Sequence, residues 1–170
     1  MLTEIQIKNF AIIDRLQVSF RAGFNVLTGE TGAGKSIIID AVGLLLGDRA
    51  RPELIRSGAD EATVEAVVDV TGCDDVQLQL AEEGFDVADE LLIRRIVSRS
   101  GKNRVYLNGS LATLSQLQNM TSGLMVIYGQ HEQQQLQRVA AHLELLDRFA
   151  ATDLEQAAYS TTYEELRALQ

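Results

Sequence analysis

Residues 29–36 read Gly29-Glu30-Thr31-Gly32-Ala33-Gly34-Lys35-Ser36, the pattern G-x-x-x-x-G-K-[S/T] that is typical of loops binding nucleotide phosphates. The apolar run Phe-Asn-Val-Leu-Thr (24–28) precedes this loop, and the run Ile-Ile-Ile-Asp-Ala-Val (37–42) follows it. We therefore predict a core strand, a glycine-rich turn and then a helix. In such a turn the backbone N–H groups point at the phosphates, and the positive end of the helix adds to the attraction.

Each of the eight loop residues is a predicted nucleotide contact, and two have further roles. Lys35 can reach the β- and γ-phosphates, and the Ser36 hydroxyl can ligate Mg²⁺. The pattern thus predicts ATP and Mg²⁺ as cofactors. The alternative is a glycine turn with an unrelated lysine, which the apolar flanks on both sides disfavour.

Composition limits the classes of protein that remain. The 170 residues suffice for one domain with a core, or for a large piece of a longer protein. The net charge of −9 excludes a basic protein that coats nucleic acid indiscriminately. The single cysteine, Cys73, cannot form an internal disulfide, which fits a reducing compartment. With no secretory signal and no apolar run long enough to span a membrane, we expect a cytoplasmic protein without membrane contact.

Alternating apolar residues precede the loop. Ile5 and Ile7 alternate with polar neighbours, and Leu16, Val18 and Phe20 do the same. This pattern predicts two antiparallel strands ahead of the core strand. Simple P-loop kinases and GTPases usually enter the loop from their first strand, so the extra sheet layer favours ABC-type ATPases.

The remaining elements follow from apolar spacing and turn residues. We predict a helix over 37–46 ended by Gly47, a half-exposed strand over 63–70, a helix over 77–83, a hairpin of strands 91–98 and 104–107, a helix over 111–119 capped by Ser110, and a buried strand over 124–128. From residue 140 onward the pattern is helical. It stops without a cap or closing glycine, as a cut through a longer helix would.

A second motif, Gly129-Gln130-His131-Glu132, follows the apolar run 124–128. ABC-type ATPases place a glutamine at this point, where its amide oxygen completes the Mg²⁺ shell and helps to orient the attacking water. We predict this role for Gln130, and a plain glutamine-rich loop is the alternative. The chain's two histidines, with no third ligand at metal spacing, do not predict a zinc site.

Two expected parts of an ATPase are missing. Hydrolysis needs an acidic pair at the end of an apolar strand, but the pair Asp89-Glu90 comes before an apolar strand and not at the end of one. A signature of the Leu-Ser-Gly-Gly type is also absent. We expect the chain to hold ATP but to be inactive without a segment that carries these parts.

Four stretches resemble the bacterial RecN DNA-repair proteins, which are SMC-like ABC-type ATPases: residues 2–14, 24–36, 41–48 and 128–132. The resemblance covers about residues 1–150. It implies an α/β head lobe (1–150) with a mixed sheet, an antiparallel β layer and helices, followed by the start of a coiled-coil arm (151–170). The C-terminal half of the same head would then bring the missing signature and acidic pair.

The resemblance also implies a function. Two heads would form a homodimer around ATP, and hydrolysis would cycle the protein on double-stranded DNA ends without sequence preference, in the nucleoid. Lys35 and Gln130 would be the catalytic residues, with Ser36 and Gln130 on Mg²⁺. The alternative is a non-hydrolysing module that nucleotide orders and whose helical tail recruits a partner as a coiled coil.

Basic residues cluster on the predicted hairpin. Arg94, Arg95, Arg99, Lys102 and Arg104 lie in a stretch, 91–109, that contains no acid. We predict phosphate contacts to DNA from Arg99, Lys102 and Arg104, which would give salt-sensitive binding. The alternative is an edge hairpin whose charges discourage sheet aggregation.

Overall fold

The computed structural model describes residues 1–28, 33–122, 124–125, 127, 146, 149–150 and 152–168. The chain forms two compact units, Met1–Ile127 and Tyr128–Gln170. The first unit carries the sheet and the candidate site. In the second unit the described residues include one long helix, which agrees with the predicted helical tail.

The first unit is built on one six-stranded sheet. Its strands are β1 (Leu2–Phe10), β2 (Ile13–Ser19), β3 (Glu61–Asp69), β4 (Glu90–Ser98), β5 (Arg104–Leu107) and β6 (Ser110–Ala112). They lie in the order β2-β1-β3-β4-β5-β6, and every pairing between them is antiparallel. The predicted antiparallel layer is therefore confirmed, together with the predicted hairpin.

One face of this sheet forms the core. On β3, buried and half-buried residues alternate strictly, as expected for a strand with one covered face. Register places Ile7 beside Val64 and Val64 beside Arg95, so all three side chains point to the covered face. The other face carries polar residues such as Gln6 and Glu65.

Helices cover the buried face. They are α1 (Ala33–Leu45), α2 (Asp74–Glu82) and α3 (Leu114–Thr121), with a short 3₁₀ turn at Pro52–Leu54. Helix α1 contacts β1, β3 and β4 and buries Ala41, Leu44 and Leu45. The core thus fixes the second half of α1 and leaves its first turn at the surface. A further helix, α4 (Asp153–Ala168), belongs to the second unit.

Gly47 ends α1, as predicted, in a conformation that suits glycine. Its φ is +101°, which L side chains rarely adopt. A Cβ at this position would lie 2.3 Å from Gln118 Cγ, because the Gln118 side chain donates a hydrogen bond to the Gly47 carbonyl at 3.0 Å. The C-terminus of α1 is thereby attached to α3.

The predicted core strand over 24–28 is wrong for the structure described. Phe24, Val26 and Leu27 are 95%, 63% and 45% exposed, and no strand includes them. Asn25 instead donates to the carbonyls of Arg21 and Gly23, at 2.8 and 3.2 Å, within a local turn. An apolar run becomes a core strand only beside a hydrogen-bonded neighbour, and the described residues supply none here.

The predicted helix over 111–119 begins too early. Residues 110–112 form β6, and α3 starts at Leu114 after a capping box in which the Thr113 hydroxyl accepts from the Gln116 N–H. Ser110 is not the cap. The cause is the Asn108-Gly109 pair, whose φ values of 47° and 84° make a two-residue hairpin turn.

Three other predictions differ in extent. The strand over 63–70 is β3 and begins at Glu61, and the helix over 77–83 is α2 and begins at Asp74. Of the predicted strand 124–128, residues 126 and 128 lie outside the described residues, and 124, 125 and 127 are in no strand. The domain boundary near residue 150 and the coiled coil stay predictions. None of the described helices combines the length and apolarity needed to cross a membrane.

Candidate nucleotide-binding site

The first turn of α1 carries the described part of the phosphate-loop motif. Gly34, Lys35 and Ser36 are all exposed there, while the same helix is anchored in the core one to three turns later. No acidic residue lies in this first turn. The positive end of the helix dipole and the N–H groups of the first turn therefore lie at the exposed end of α1, where they can attract an anion.

This turn fits a nucleotide phosphate. Among the described residues outside the backbone of α1, no atom lies within 4 Å of the place where a Cβ on Gly34 would be, which leaves room for close approach by a ligand. Lys35 supplies a positive charge, and the Ser36 hydroxyl is an oxygen ligand of the kind that Mg²⁺ accepts. Among the residues the structure describes, no cluster of three or more His, Cys, Asp or Glu could hold a metal ion.

The other predicted residues of this site fall outside the described residues. They are Gly29, Glu30, Thr31, Gly32 and Gln130. The structure accordingly brings together Gly34, Lys35 and Ser36, and the contact between these and Gln130 stays a prediction. Ala33 is the first residue of α1.

The basic residues of the hairpin form more contacts within the chain than the sequence suggests. Arg99 donates from Nε to the Ala59 carbonyl at 2.7 Å and from one terminal nitrogen to the carbonyls of Ile55 and Arg56. Arg104 pairs with both carboxylate oxygens of Glu61, at 2.8 and 3.0 Å. The predicted DNA contacts stay predictions, with only Lys102 of the three having no hydrogen bond or ion pair to a described residue.

Arg95 lies on the predicted hairpin, in β4, but its side chain is buried and is not part of an exposed basic cluster. It is 3% exposed, and it donates to the Leu44 carbonyl in α1 at 2.6 Å. The signal was present in the sequence. Arg95 follows Leu91 and Ile93 in the period-two alternation of β4, which puts it on the covered face.

Solved structures share this fold. The SMC head domain with a coiled coil and joint from Pyrococcus yayanosii matches at a TM-score of 0.72 and 23% identity, over 98% of this chain and 35% of that one. A chain from a study of ATP-driven dimerization and DNA-stimulated activation of SMC ATPases matches at 0.64 and 24% identity, over 86% and 97%. The sheet and helices described above therefore have the fold of SMC head domains, as predicted.

Sequence comparison gives the family. The model of the AAA domain matches residues 4–170, and the chain belongs to this family. Within it, the chain is 47% identical over 166 residues to the DNA repair protein RecN of Bacillus subtilis (strain 168). That match covers 97% of this chain and 28% of the relative, and the predicted RecN resemblance is confirmed. The chain thus spans less than a third of the length of this relative.

Proposed function

We propose that this chain is the ATP-binding lobe of an SMC-like ATPase that repairs DNA double-strand breaks. The observation that carries the proposal is the exposed first turn of α1, where Gly34, Lys35 and Ser36 of a complete phosphate-loop motif face solvent. The AAA family match, the head fold and the RecN relatives support it.

In this proposal the chain's own residues position and neutralise charge. Lys35 and the backbone N–H groups of residues 29–36 bind the triphosphate, and Ser36 and Gln130 hold Mg²⁺. Mg²⁺ held by these residues would neutralise negative charge on the triphosphate. Phosphoryl transfer depends mainly on such positioning and electrostatic stabilisation, so Lys35 and Gln130 are the proposed catalytic residues of this lobe.

The proposed partner for completion is the C-terminal half of the same head. Phe24 and Val26 expose apolar surface directly before the phosphate loop, and an added strand would cover them. That half would bring the acidic pair and the signature that this sequence lacks. Two completed heads would then form a homodimer around ATP and engage DNA ends in the cytoplasm, in association with the nucleoid.

ATP binding and turnover test this proposal. We expect the chain to bind a fluorescent ATP analogue in the presence of Mg²⁺, and Lys35→Ala to weaken that binding at least about tenfold, since a lost charged contact to phosphate contributes about 1.4 kcal/mol or more. Lys102→Ala is the matched control, because it removes an exposed lysine far from the loop in sequence. Equal affinity of the Lys35→Ala variant and the unmodified chain would contradict the proposal.

Turnover separates the proposal from its alternative. The chain alone should hydrolyse ATP at background rate, and addition of the separately produced C-terminal segment should restore hydrolysis that depends on Lys35. Full turnover by the chain alone would contradict the divided head. Nucleotide binding without turnover in the mixture would favour the non-hydrolysing module, which no comparison favours at present.

A further inference from the structure

A second basic site lies away from the phosphate loop. A cavity of about 710 Å³ is bordered by the loop after α1, by β4 and β5, and by the segment from β6 into α3. Three arginines line it, Arg49, Arg95 and Arg104, and no described acidic residue does. In a chain with a net charge of −9, this is a local concentration of positive charge that composition does not predict.

Arg95 is a buried charge with incomplete pairing. Beyond its bond to the Leu44 carbonyl, its Nε–H is buried and has no acceptor, and none of the described carboxylates lies within ion-pair distance. Burial lowers the pKa of Arg95, and the charge of Asp48 partly offsets this. A buried guanidinium without an ion-paired carboxylate is costly, so an anion in the cavity would stabilise it.

Arg49 adds a charge that is free to move. It is exposed on the loop after α1 and forms no hydrogen bond or ion pair with any described residue. Arg104, by contrast, is held by Glu61. The cavity thus offers one buried and one mobile guanidinium to an anion, and guanidinium groups suit the oxygens of a phosphate.

The rim of the cavity is apolar. Leu111 is 68% exposed and Leu114 is 40% exposed, and both line the cavity. An inorganic anion would gain nothing from contact with this apolar surface. A ligand that joins an anionic group to an apolar body would contact both the arginines and the leucines, and each unit of a DNA strand joins a phosphate to a sugar and base in this way.

We propose that this cavity binds a phosphodiester unit of a DNA strand, with its phosphate on Arg49 and above Arg95 and its sugar against Leu111 and Leu114. The proposal rests on the DNA-repair function proposed above. It shifts the main DNA contact from Arg99 and Arg104 of the hairpin into the cavity, because both of these arginines already donate to groups of this chain.

The test measures binding of a short labelled DNA oligonucleotide to this chain by fluorescence anisotropy across a salt series. Arg49→Gln should weaken binding about fivefold and lower the slope of log K against log salt by about 0.9 on a duplex, or about 0.7 on a single strand, for one lost phosphate contact. Arg51→Gln is the matched control. It makes the same charge change two residues away, outside the cavity lining, and should leave both values within about twofold.

Two further variants keep the test decisive. Leu111→Glu places a carboxylate at the rim and should weaken DNA binding more than Leu78→Glu, the same change at a similarly exposed leucine on α2. Arg95→Met removes the buried charge with similar volume, and it should fold, since the Leu44 carbonyl keeps its bond from the Gly47 N–H. Affinity and salt slope unchanged in Arg49→Gln and Leu111→Glu, or no DNA binding by the unmodified chain, would overturn the proposal.

A competition arm identifies the source of the phosphate. Unlabelled oligonucleotide should displace the label, whereas inorganic phosphate at the same phosphate concentration should not. Displacement by inorganic phosphate alone would assign the cavity to free phosphate and overturn the DNA assignment. Binding of the ATP analogue, which depends on Lys35, should be unchanged in Arg49→Gln, so a failure of this site is distinguishable from a failure of the proposed ATPase function.

Discussion

At the scale of single residues, one hydrogen-bonded turn lowers the pKa of Asp69 at the end of β3. The side chain and the backbone N–H of Thr71 both donate to this carboxylate, the latter at 2.9 Å, and they lower the pKa of Asp69. A carboxyl whose pKa is lower in the folded state stabilises the fold above its unfolded pKa. That contribution is lost as the pH falls through the folded pKa.

We expect Thr71→Val to raise the pKa of Asp69 toward the ordinary aspartate value, because the hydroxyl donor is lost and the backbone donor remains. The measurement is an NMR titration of the Asp69 carboxyl carbon. Thr3→Val removes a hydroxyl that donates to the Val67 carbonyl and serves as control. An unchanged Asp69 pKa in Thr71→Val would show that the hydroxyl does not stabilise the charged form.

At the scale of secondary-structure elements, the capping box of Thr113 and Gln116 stabilises the N-terminus of α3. The Thr113 hydroxyl accepts from the Gln116 N–H at 3.2 Å, and the Gln116 side chain accepts from the Thr113 N–H at 2.8 Å. Thr113→Ala should lower the free energy of unfolding by about 1 kcal/mol, the usual effect of losing such a cap. Urea denaturation measures this, and Thr113→Ser should retain the unmodified value. A Thr113→Ala variant as stable as the unmodified chain would contradict the capping role.

The junction of α1 and α3 gives a second prediction at this scale. Gly47→Ala imposes a strained φ and a clash with Gln118, whereas Gly58→Ala imposes a strained φ of +83° in open space. We expect Gly47→Ala to destabilise by about 1 kcal/mol more than Gly58→Ala, measured by thermal or urea unfolding. Introducing Gln118→Ala should remove the difference between the two. Equal losses of stability in Gly47→Ala and Gly58→Ala would show that the Gln118 side chain moves aside without an energetic penalty.

For the molecule as a whole, the exposed apolar run before the phosphate loop is the main liability. Phe24 is 95% exposed, and Val26 and Leu27 extend the same surface. An unpaired apolar segment of this kind promotes association of copies. Phe24→Ser should therefore raise the concentration at which the isolated chain remains monomeric, as measured by sedimentation velocity. Leu78→Ser, on the exposed side of α2, should have less effect, and a similar gain from both variants would assign the association to general hydrophobicity.

Local sequence signals predicted a large part of this structure. Period-two alternation predicted β1, β2, β3 and the β4–β5 hairpin, and the glycine after an apolar run predicted the end of α1. The Asn108-Gly109 turn was also readable, yet the longer helical pattern around it led to a helix that begins too early. These signals depend on neighbours along the chain, which is why the sequence carries them.

Other features depend on neighbours that are distant in sequence. The apolar run over 24–28 has the composition of a core strand, but it has no strand partner among the described residues and stays exposed. The arginines of the hairpin look alike in sequence. Their environments in the fold differ, however. Arg104 pairs with Glu61, Arg99 donates to backbone carbonyls, and Arg95 donates to the Leu44 carbonyl of α1.

The phosphate-loop motif, the antiparallel layer and the family could all be inferred from the amino-acid sequence, because each is written in residue types at short spacing. The exposed first turn of α1 and the arginine-lined cavity required the folded chain. Burial and charge pairing depend on residues as far apart in sequence as Arg49 and Leu114, which the fold brings together. No local sequence pattern can therefore predict them. A motif can therefore name a ligand, while packing determines which charges remain available to bind one.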